Sequence, residues 1–455
     1  MSFSLYSKLT FLTATALLGT TSVFSQALTN GQIDSLAEKD LKLFNVPGMA
    51  VGIVKDGHLI YSKGFGVRSL KTQKPVDPET LFGIASNSKA FTAAALGILV
   101  DKKKISWDDK VTKYLPDFKL YDELATKEIT IRDLLCHRSG IGTGVGDLMH
   151  DPDSTTFSVN DIIHNLRYLK PDYSFRSKFA YNNNLYLVAG QVIAKVSKMP
   201  LEDFIKKSIL LPLGMKSSSA SFHGASSNLN ITSAHKVTHG SIRVVTRYTS
   251  MKDDAAGGIY ANITDMSKWL LMLINNGKYG ENLNKQLLSE QTVHELLSPQ
   301  TIIRTGPLDS YQTHFGAYGL GWFMNDERGY KLIFHSGEDV GMVSEVSMIP
   351  ELSLGVIVLT NNESTASYAV TDQIIDGYIG IRNQDRSAAT FARFHAGELT
   401  ASRARDSIYR KASEQNLFLH PVIKNYIGIY QDPWFGKLTI SVRAGRLYFA
   451  SERSP

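Results

Sequence analysis

The residues best suited to chemistry are Ser86 and Lys89, in the segment Ala85-Ser86-Asn87-Ser88-Lys89-Ala90-Phe91. This segment opens an alanine- and leucine-rich run that reaches Val100 without a proline. Such a run predicts a buried helix over Ala85–Val100, on which residues three apart share a face. A serine hydroxyl becomes a nucleophile when a base takes its proton. A desolvated lysine can be that base at neutral pH. A helix start adds unpaired N–H groups that stabilise charge growing on an attacked carbonyl. Taken alone, Ser86 reads first as an ordinary helix N-cap. The same spacing recurs at Ser233–Lys236 in a polar, His- and Thr-rich segment read as a loop, where it is a chance match.

Two further clusters give the pair company. Tyr181-Asn182-Asn183 precedes the apolar stretch Leu185–Val196. A tyrosine hydroxyl beside a lysine can relay the serine proton, and a carboxamide offers both acceptor and donors; the bland reading is a turn that caps the following helix. His335-Ser336-Gly337 ends the apolar strand segment Leu332–Phe334. There glycine lets the backbone approach a substrate, while a lone histidine at a strand end reads as a hydrogen-bonded surface residue. Other chemistries lack their residues. His294-Glu295 and His235…His239 do not complete a helical zinc-protease motif, and no Gly-x-Ser-x-Gly elbow or phosphate-cradling Gly-x-x-x-x-Gly-Lys occurs. The single cysteine, Cys136, allows no internal disulfide and reads as a small buried hydrophobe. The expected chemistry uses no metal and no cofactor.

Together the three clusters resemble the serine β-lactamase and penicillin-binding-protein superfamily, in particular its class C-type branch of esterases, D-aminopeptidases and class C β-lactamases, whose middle motif is Tyr-x-Asn. The resemblance covers roughly residues 30–380. Ile131–Gly140 (Ile-Arg-Asp-Leu-Leu-Cys-His-Arg-Ser-Gly), Leu210–Met215 and Asp254–Asp265 with its Gly257-Gly258 pair are similar too. The resemblance implies that Ser86 is acylated and Lys89 accepts its proton. It implies that Tyr181 shares the general base and acid work, and that Asn183 binds substrate and orients Lys89. His335, Ser336 and Gly337 become a substrate-binding strand wall, and the N–H groups of Ser86 and Glu338 an oxyanion hole. Two positions depart from the family pattern: His335 stands where a lysine would face a substrate carboxylate, and Glu338 stands where a small residue is usual.

Among the elements that must position these clusters, Ile33–Phe44 reads as an amphipathic helix, and Met49–Val54 with His58–Gly64 as a hairpin around Asp56-Gly57. A long helix-and-loop region occupies about 105–300. Strands return near Gly319–Met324, Lys331–His335, Gly341–Ile349 and Leu354–Thr360. The predicted class is therefore α+β, a mainly antiparallel sheet flanked by helices plus a mostly helical subdomain. Residues 382–416 read as a helical connector. Residues 417–455 read as part of a small β domain, similar to the start of a lipocalin-like barrel and supplying three of about eight strands.

Residues 1–25 hold one charge, Lys8, and an apolar run too short to span a bilayer, with Val23 and Ser25 suited to signal cleavage before Gln26. A retained anchor is the alternative. The expectation is a periplasmic or secreted protein with residues 26–381 as its hydrolase domain and no stable membrane span after signal removal. Of 455 residues, 43% are hydrophobic and 20% charged, enough for a sizeable core. The net charge of +6 is spread thinly, with no basic run longer than Lys102-Lys103-Lys104, which argues against a nucleic-acid partner. The expected function is an exported serine hydrolase cleaving small esters or D-residue peptides through acyl-Ser86. The alternatives are β-lactamase or D,D-carboxypeptidase activity, and an inactive scaffold. The expected partner is a small-molecule ester, peptide or β-lactam substrate; the sequence sets no oligomeric state.

Overall fold

A computed structural model of the chain describes residues 27–152, 154–225, 228–238, 240–246, 252, 254–306, 311–418 and 422–454. The expected signal segment, residues 1–25, lies outside the described residues. β1 (Gly48–Lys55) and β2 (His58–Gly66) form the predicted hairpin. Its turn residues Asp56 and Gly57 have φ of 49° and 84°, the pair of positive values that a two-residue type I′ turn needs.

β3 (Thr301–Ile303), β4 (Gly316–Tyr318), β5 (Phe323–Glu327), β6 (Tyr330–Asp339), β7 (Met342–Ile349) and β8 (Leu354–Thr360) complete an eight-stranded sheet. Its order is β2-β1-β8-β7-β6-β5-β4-β3, antiparallel throughout. Pairing of β1 with β8, from Met49↔Thr360 to Lys55↔Leu354, joins the two ends of the domain into one sheet.

The principal helices are α1 (Asn30–Leu43), α2 (Ser88–Asp101), α3 (Asn184–Ser197), α4 (Ile263–Ile274), α5 (Ala366–Ile379) and α6 (Arg386–Phe418). α1 starts on a capping box between Thr29 and Gln32. Strand alternation divides the apolar residues between two cores. Met49, Val51, Ile53, Val356 and Val358 pack with Ile33 and Ala37 of α1 and Val370 and Ile374 of α5. Ala50, Val54, Ile357 and Leu359 face the other way, onto α4 and the core around α2. β7 and β8 are buried along their whole length; Leu354–Leu359 of β8 accordingly reads as an unbroken apolar run, whereas β7 buries the polar Ser344, Glu345 and Ser347. α2 is buried from Ser88 through Leu99 and so carries no polar stripe.

Beyond the sheet, a buried ion cluster organises the helical subdomain. Asp133 completes a capping box with Thr130 on the short helix Ile131–Leu135. Its fully buried carboxylate accepts from Arg138 Nε at 2.7 Å and Arg176 Nη2 at 2.6 Å. Cys136 is buried as expected.

At the C-terminal end, α6 docks through Arg386 on buried Asp376 (2.6 Å) and Lys39 on Asp385 (2.8 Å). β9 (Gly428–Asp432), β10 (Gly436–Arg443) and β11 (Arg446–Ser451) form a separate antiparallel sheet. Asn165 donates to the Trp434 carbonyl at 2.7 Å, and Arg453 pairs with Asp161 at 2.7 Å, so this sheet rests on the helical subdomain.

Three expectations change. Of the strand expected near Gly319–Met324, Phe323 and Met324 lie on β5, while Gly319–Trp322 is a turn between β4 and β5, closed by Gly319 N–H on the Trp322 carbonyl with Gly321 at φ 87°. The Ser233–Lys236 segment, read as a loop, lies mostly on the strand Ala234–Thr238, paired with Ser241–Val245. There Lys236 pairs with Glu363 at 2.9 Å, far from the geometry of a catalytic pair. Ser86 lies in a 3₁₀ turn, Ala85–Asn87, that leads into α2.

Replacing Asp133 tests the ion cluster. Burial pushes its carboxyl pKa up, but Arg176, the Thr130 N–H and Arg138 outweigh that and hold it below the usual range. Its contribution is therefore present above the ordinary carboxylate pKa near 4 and lost as pH falls through the lower folded value. Asp133→Ala leaves two partly buried guanidiniums without this partner and is expected to cost about 3–5 kcal/mol at pH 7 in urea unfolding. A loss under about 1 kcal/mol would show that the cluster does not hold the subdomain.

Candidate active site

Ser86 is the one residue between Leu81 and Leu99 that is not buried. Ala85 before it sits at φ 46°, a left-handed backbone that costs a β-carbon residue of order 1 kcal/mol and turns the chain sharply at the nucleophile position. Lys89, one turn on, is fully buried. Its Nζ donates to Ser86 Oγ at 2.9 Å and to the Ala256 carbonyl at 3.0 Å. Ser88 Oγ accepts the Ile259 N–H at 3.0 Å and Thr92 donates to the Ala255 carbonyl at 2.7 Å, so the backbone of residues 255–259 is stitched along the front of α2.

Tyr181 reaches the same point from the loop ahead of α3. Its ring lies 4.9 Å from Lys89 Nζ, and its hydroxyl shares a hydrogen bond with Ser86. Burial raises the phenol pKa well above its usual value, so Tyr181 carries its proton at neutral pH. Asn183, at the start of α3, makes no capping bond. Its carboxamide donates to Asp147 at 3.4 Å and lines the cleft. The Ala256 carbonyl helps to hold Lys89 at 3.0 Å. Asn182 fastens the glycine loop instead, donating to the Val145 carbonyl at 2.9 Å.

The third cluster lies within β6, and strand parity splits it. Gly337 faces α2. A β-carbon there would stand 2.1 Å from the Ile84 carbonyl oxygen and 2.5 Å from Ser344 Oγ, so only glycine lets the strand close on the Ser86 turn. Ser344 Oγ itself donates to Ile84 and accepts from Asn87, locking the turn to the sheet. His335 faces the same way and is 1% exposed, contrary to the surface and wall readings. Its Nε2 meets the Tyr318 hydroxyl at 2.9 Å and its Nδ1 the Ser336 carbonyl at 2.5 Å. Burial, then Lys89, pushes its pKa down to about 3, so it is neutral at pH 7. Ser336 and Glu338 face α5. Ser336 lines a separate cavity with Tyr368, and the exposed Glu338 accepts from the Tyr368 hydroxyl at 2.6 Å while reaching the cleft rim.

β5 pairs with β6 only as far as Phe323↔Phe334, so one edge of His335–Asp339 has no strand partner beside the site. Ser86 opens into a small pocket of about 80 Å³ bounded by Asn183, Phe222, Tyr260 and Glu338. Through Asn183, Glu338 and Asp339 this pocket joins a cleft of about 780 Å³. The cleft's charged walls are mostly acidic, with Asp147, Asp151, Glu338, Asp339, Glu363 and Glu398 against Lys236. Its far wall is Phe391, Phe394 and His395 of α6, a contribution the sequence did not signal. Among the described residues no group of three or more His, Cys, Asp or Glu side chains could hold a metal.

A family model described as Beta-lactamase matches residues 33–377. An unguisins hydrolase of Aspergillus campestris is 29% identical over 344 residues, 74% of this chain and 62% of that protein. Protein flp of Staphylococcus aureus is 29% identical over 342 residues, 73% of this chain and 63% of that protein. The chain thus spans less than two thirds of the length of these curated relatives. The octameric penicillin-binding protein homologue from Pyrococcus abyssi superposes with a TM-score of 0.69 at 25% identity, covering 93% of this chain and 88% of that one. D-amino acid amidase from Ochrobactrum anthropi superposes with a TM-score of 0.63 at 19% identity over 78% and 99%, a likeness of fold.

The buried, neutral His335 makes folding sensitive to acid. An unfolded histidine takes up a proton below about pH 6.5, whereas folded His335 does so only near 3. Stability is therefore held above 6.5 and lost progressively as pH falls from 6.5 towards 3. Between pH 7 and pH 5 this one group accounts for about 2 kcal/mol. His335→Gln is expected to lose about 2 kcal/mol less than wild type over that interval in urea unfolding. Equal losses would mean that His335 is protonated in the folded protein.

Proposed function

The chain belongs to the beta-lactamase family of serine hydrolases, and from that premise we propose that it cleaves small esters or amides, including D-residue peptides, through an acyl-Ser86 intermediate after export from the cytoplasm. The observation that carries this reading is the 2.9 Å contact between Lys89 Nζ and Ser86 Oγ, with Tyr181 against both. Lys89 takes the Ser86 proton as Oγ bonds to the substrate carbonyl carbon. Negative charge on the carbonyl oxygen meets the N–H groups of Ser86 and Glu338. The proton passes through Tyr181 to the leaving oxygen or nitrogen as its bond to carbon breaks. Water then attacks the acyl ester, the same groups take its proton, and Ser86 is restored. Asn183 and the open edge of β6 are suited to hold an extended, amide-bearing substrate, since a free strand edge offers backbone donors and acceptors.

Charge favours one substrate class. The neutral, inward His335 offers no cation to a β-lactam or peptide carboxylate. Glu338, Asp339 and Asp147 stand around the passage from the pocket to the cleft. A unit charge about 5 Å away is worth roughly 1–3 kcal/mol between water and protein-surface screening, hence about tenfold or more in rate. Uncharged or amine-bearing acyl groups are therefore preferred over anionic ones, which supports esterase or aminopeptidase-like turnover ahead of the β-lactamase or D,D-carboxypeptidase alternative.

The test compares kcat/KM for p-nitroanilides of D-alanine and succinyl-D-alanine, with nitrocefin alongside. The amine-bearing substrate is expected to win by at least about tenfold, with the gap narrowing in Glu338→Gln and all turnover vanishing in Ser86→Ala. Preferential turnover of nitrocefin or of the succinylated compound would overturn the substrate class, and turnover surviving in Ser86→Ala would overturn the mechanism.

A further inference from the structure

We infer that His137 is the positioning residue that fixes Tyr181 for proton transfer. The inference rests on the reading of Tyr181 as the proton carrier. His137 lies just beyond the short helix Ile131–Leu135 and has φ 54°, a backbone conformation that side-chain-bearing residues seldom adopt. It ties down both neighbours of Tyr181. Its carbonyl accepts the Ala180 N–H at 2.9 Å, and its ring Nδ1 accepts the Asn182 N–H at 3.1 Å. Its imidazole also lies against the Tyr181 ring, with centroids 4.2 Å apart and planes at 31°. One residue thus sets the backbone on either side of Tyr181 and one boundary of its ring.

The cost of this arrangement argues for a role beyond packing. Because Nδ1 accepts, the ring proton belongs on Nε2, and Nε2 is buried with no hydrogen-bond partner among the described residues. An apolar side chain would remove this orphan only by leaving the Asn182 N–H unpaired, so the histidine carries one unpaired group in order to keep the bond beside Tyr181. Burial, with Lys89 and His335 adding to it, keeps the imidazole neutral. It therefore brings the required acceptor without placing a positive charge next to Lys89. No contact joins His137 to Ser86, so its effect must pass through Tyr181. The loop is itself anchored, since Arg138, the next residue, is bound to buried Asp133.

Two amides separate the acceptor from mere polarity. In His137→Asn, Oδ1 stands where Nδ1 stood, and asparagine tolerates positive φ. In His137→Gln the acceptor lies one bond too far out. With p-nitrophenyl acetate, His137→Gln is expected to lower kcat by about 10- to 100-fold with KM within about twofold, and His137→Asn to recover at least about fivefold of that loss. In a Tyr181→Phe background, followed by the rate of fluorophosphonate labelling of Ser86, His137→Gln should change the rate by less than about twofold, since the group it positions is gone. Should His137→Gln not fold, His137→Asn carries the same comparison against wild type and Tyr181→Phe. Equal losses in both amides, unchanged kcat in both, or an undiminished effect in the Tyr181→Phe background would overturn the inference. Full activity of Tyr181→Phe alone would instead remove the premise about Tyr181.

Discussion

A lysine amine with no exposed surface, 2.9 Å from a solvent-reachable serine hydroxyl, is the interaction on which the rest of this molecule is arranged. An amine so placed loses its hydration, and the surrounding groups have to replace it. Here they are the Ala256 carbonyl and the faces of Tyr181 and Tyr186, at 4.9 and 5.3 Å. These groups come from segments far apart in sequence. They meet because α2 is buried on all sides, and its surroundings supply hydrogen bonds to several of its polar side chains. Ser88 and Thr92 meet the backbone at 255–259, and Asn87 meets Ser344.

The sheet provides the second constraint. β6 must come close enough for its backbone to face a substrate at Ser86, and Gly337 against the Ile84 carbonyl sets that distance. Strand alternation then fixes the neighbours of this glycine: position 338 turns towards α5, and position 335, two residues earlier on the glycine's own face, turns inwards. Glu338 is therefore held by Tyr368 at the cleft rim, and His335 is buried next to Lys89. A site with a neutral imidazole inside and carboxylates at its mouth differs in electrostatic sign from one built around a lysine at the same strand position.

The sequence made much of this legible. Ser86, Lys89 and Tyr181 were readable because the chemistry requires those residue types, and each stands beside a run whose periodicity announces its element. The hairpin at Asp56-Gly57 and the apolar run of β8 were readable for local reasons. Orientation was not. The inward turn of His335 depends on strand register, a long-range property, and the Glu338–Tyr368 bond joins residues that sequence spacing does not relate. The Ala256 carbonyl that accepts from Lys89 has no side-chain signature at all. His137 carried only a weak signal, its place in the Ile131–Gly140 segment, because its function lies in two backbone hydrogen bonds and a ring contact. Ser233–Lys236 shows the converse: the motif's spacing is met, but a strand and a surface ion pair deny it the geometry.

The most direct test of the central claim is intact mass and peptide mapping after fluorophosphonate treatment of wild type and Lys89→Met. Methionine keeps the buried, unbranched side chain but has no amine to take the serine proton. The expected result is a single adduct on wild type, located at Ser86, and labelling of Lys89→Met slowed by at least about a thousandfold, a loss of about 4 kcal/mol of transition-state stabilisation. An adduct elsewhere, or Lys89→Met labelled at the wild-type rate, would contradict the assignment of Lys89 as the base for Ser86.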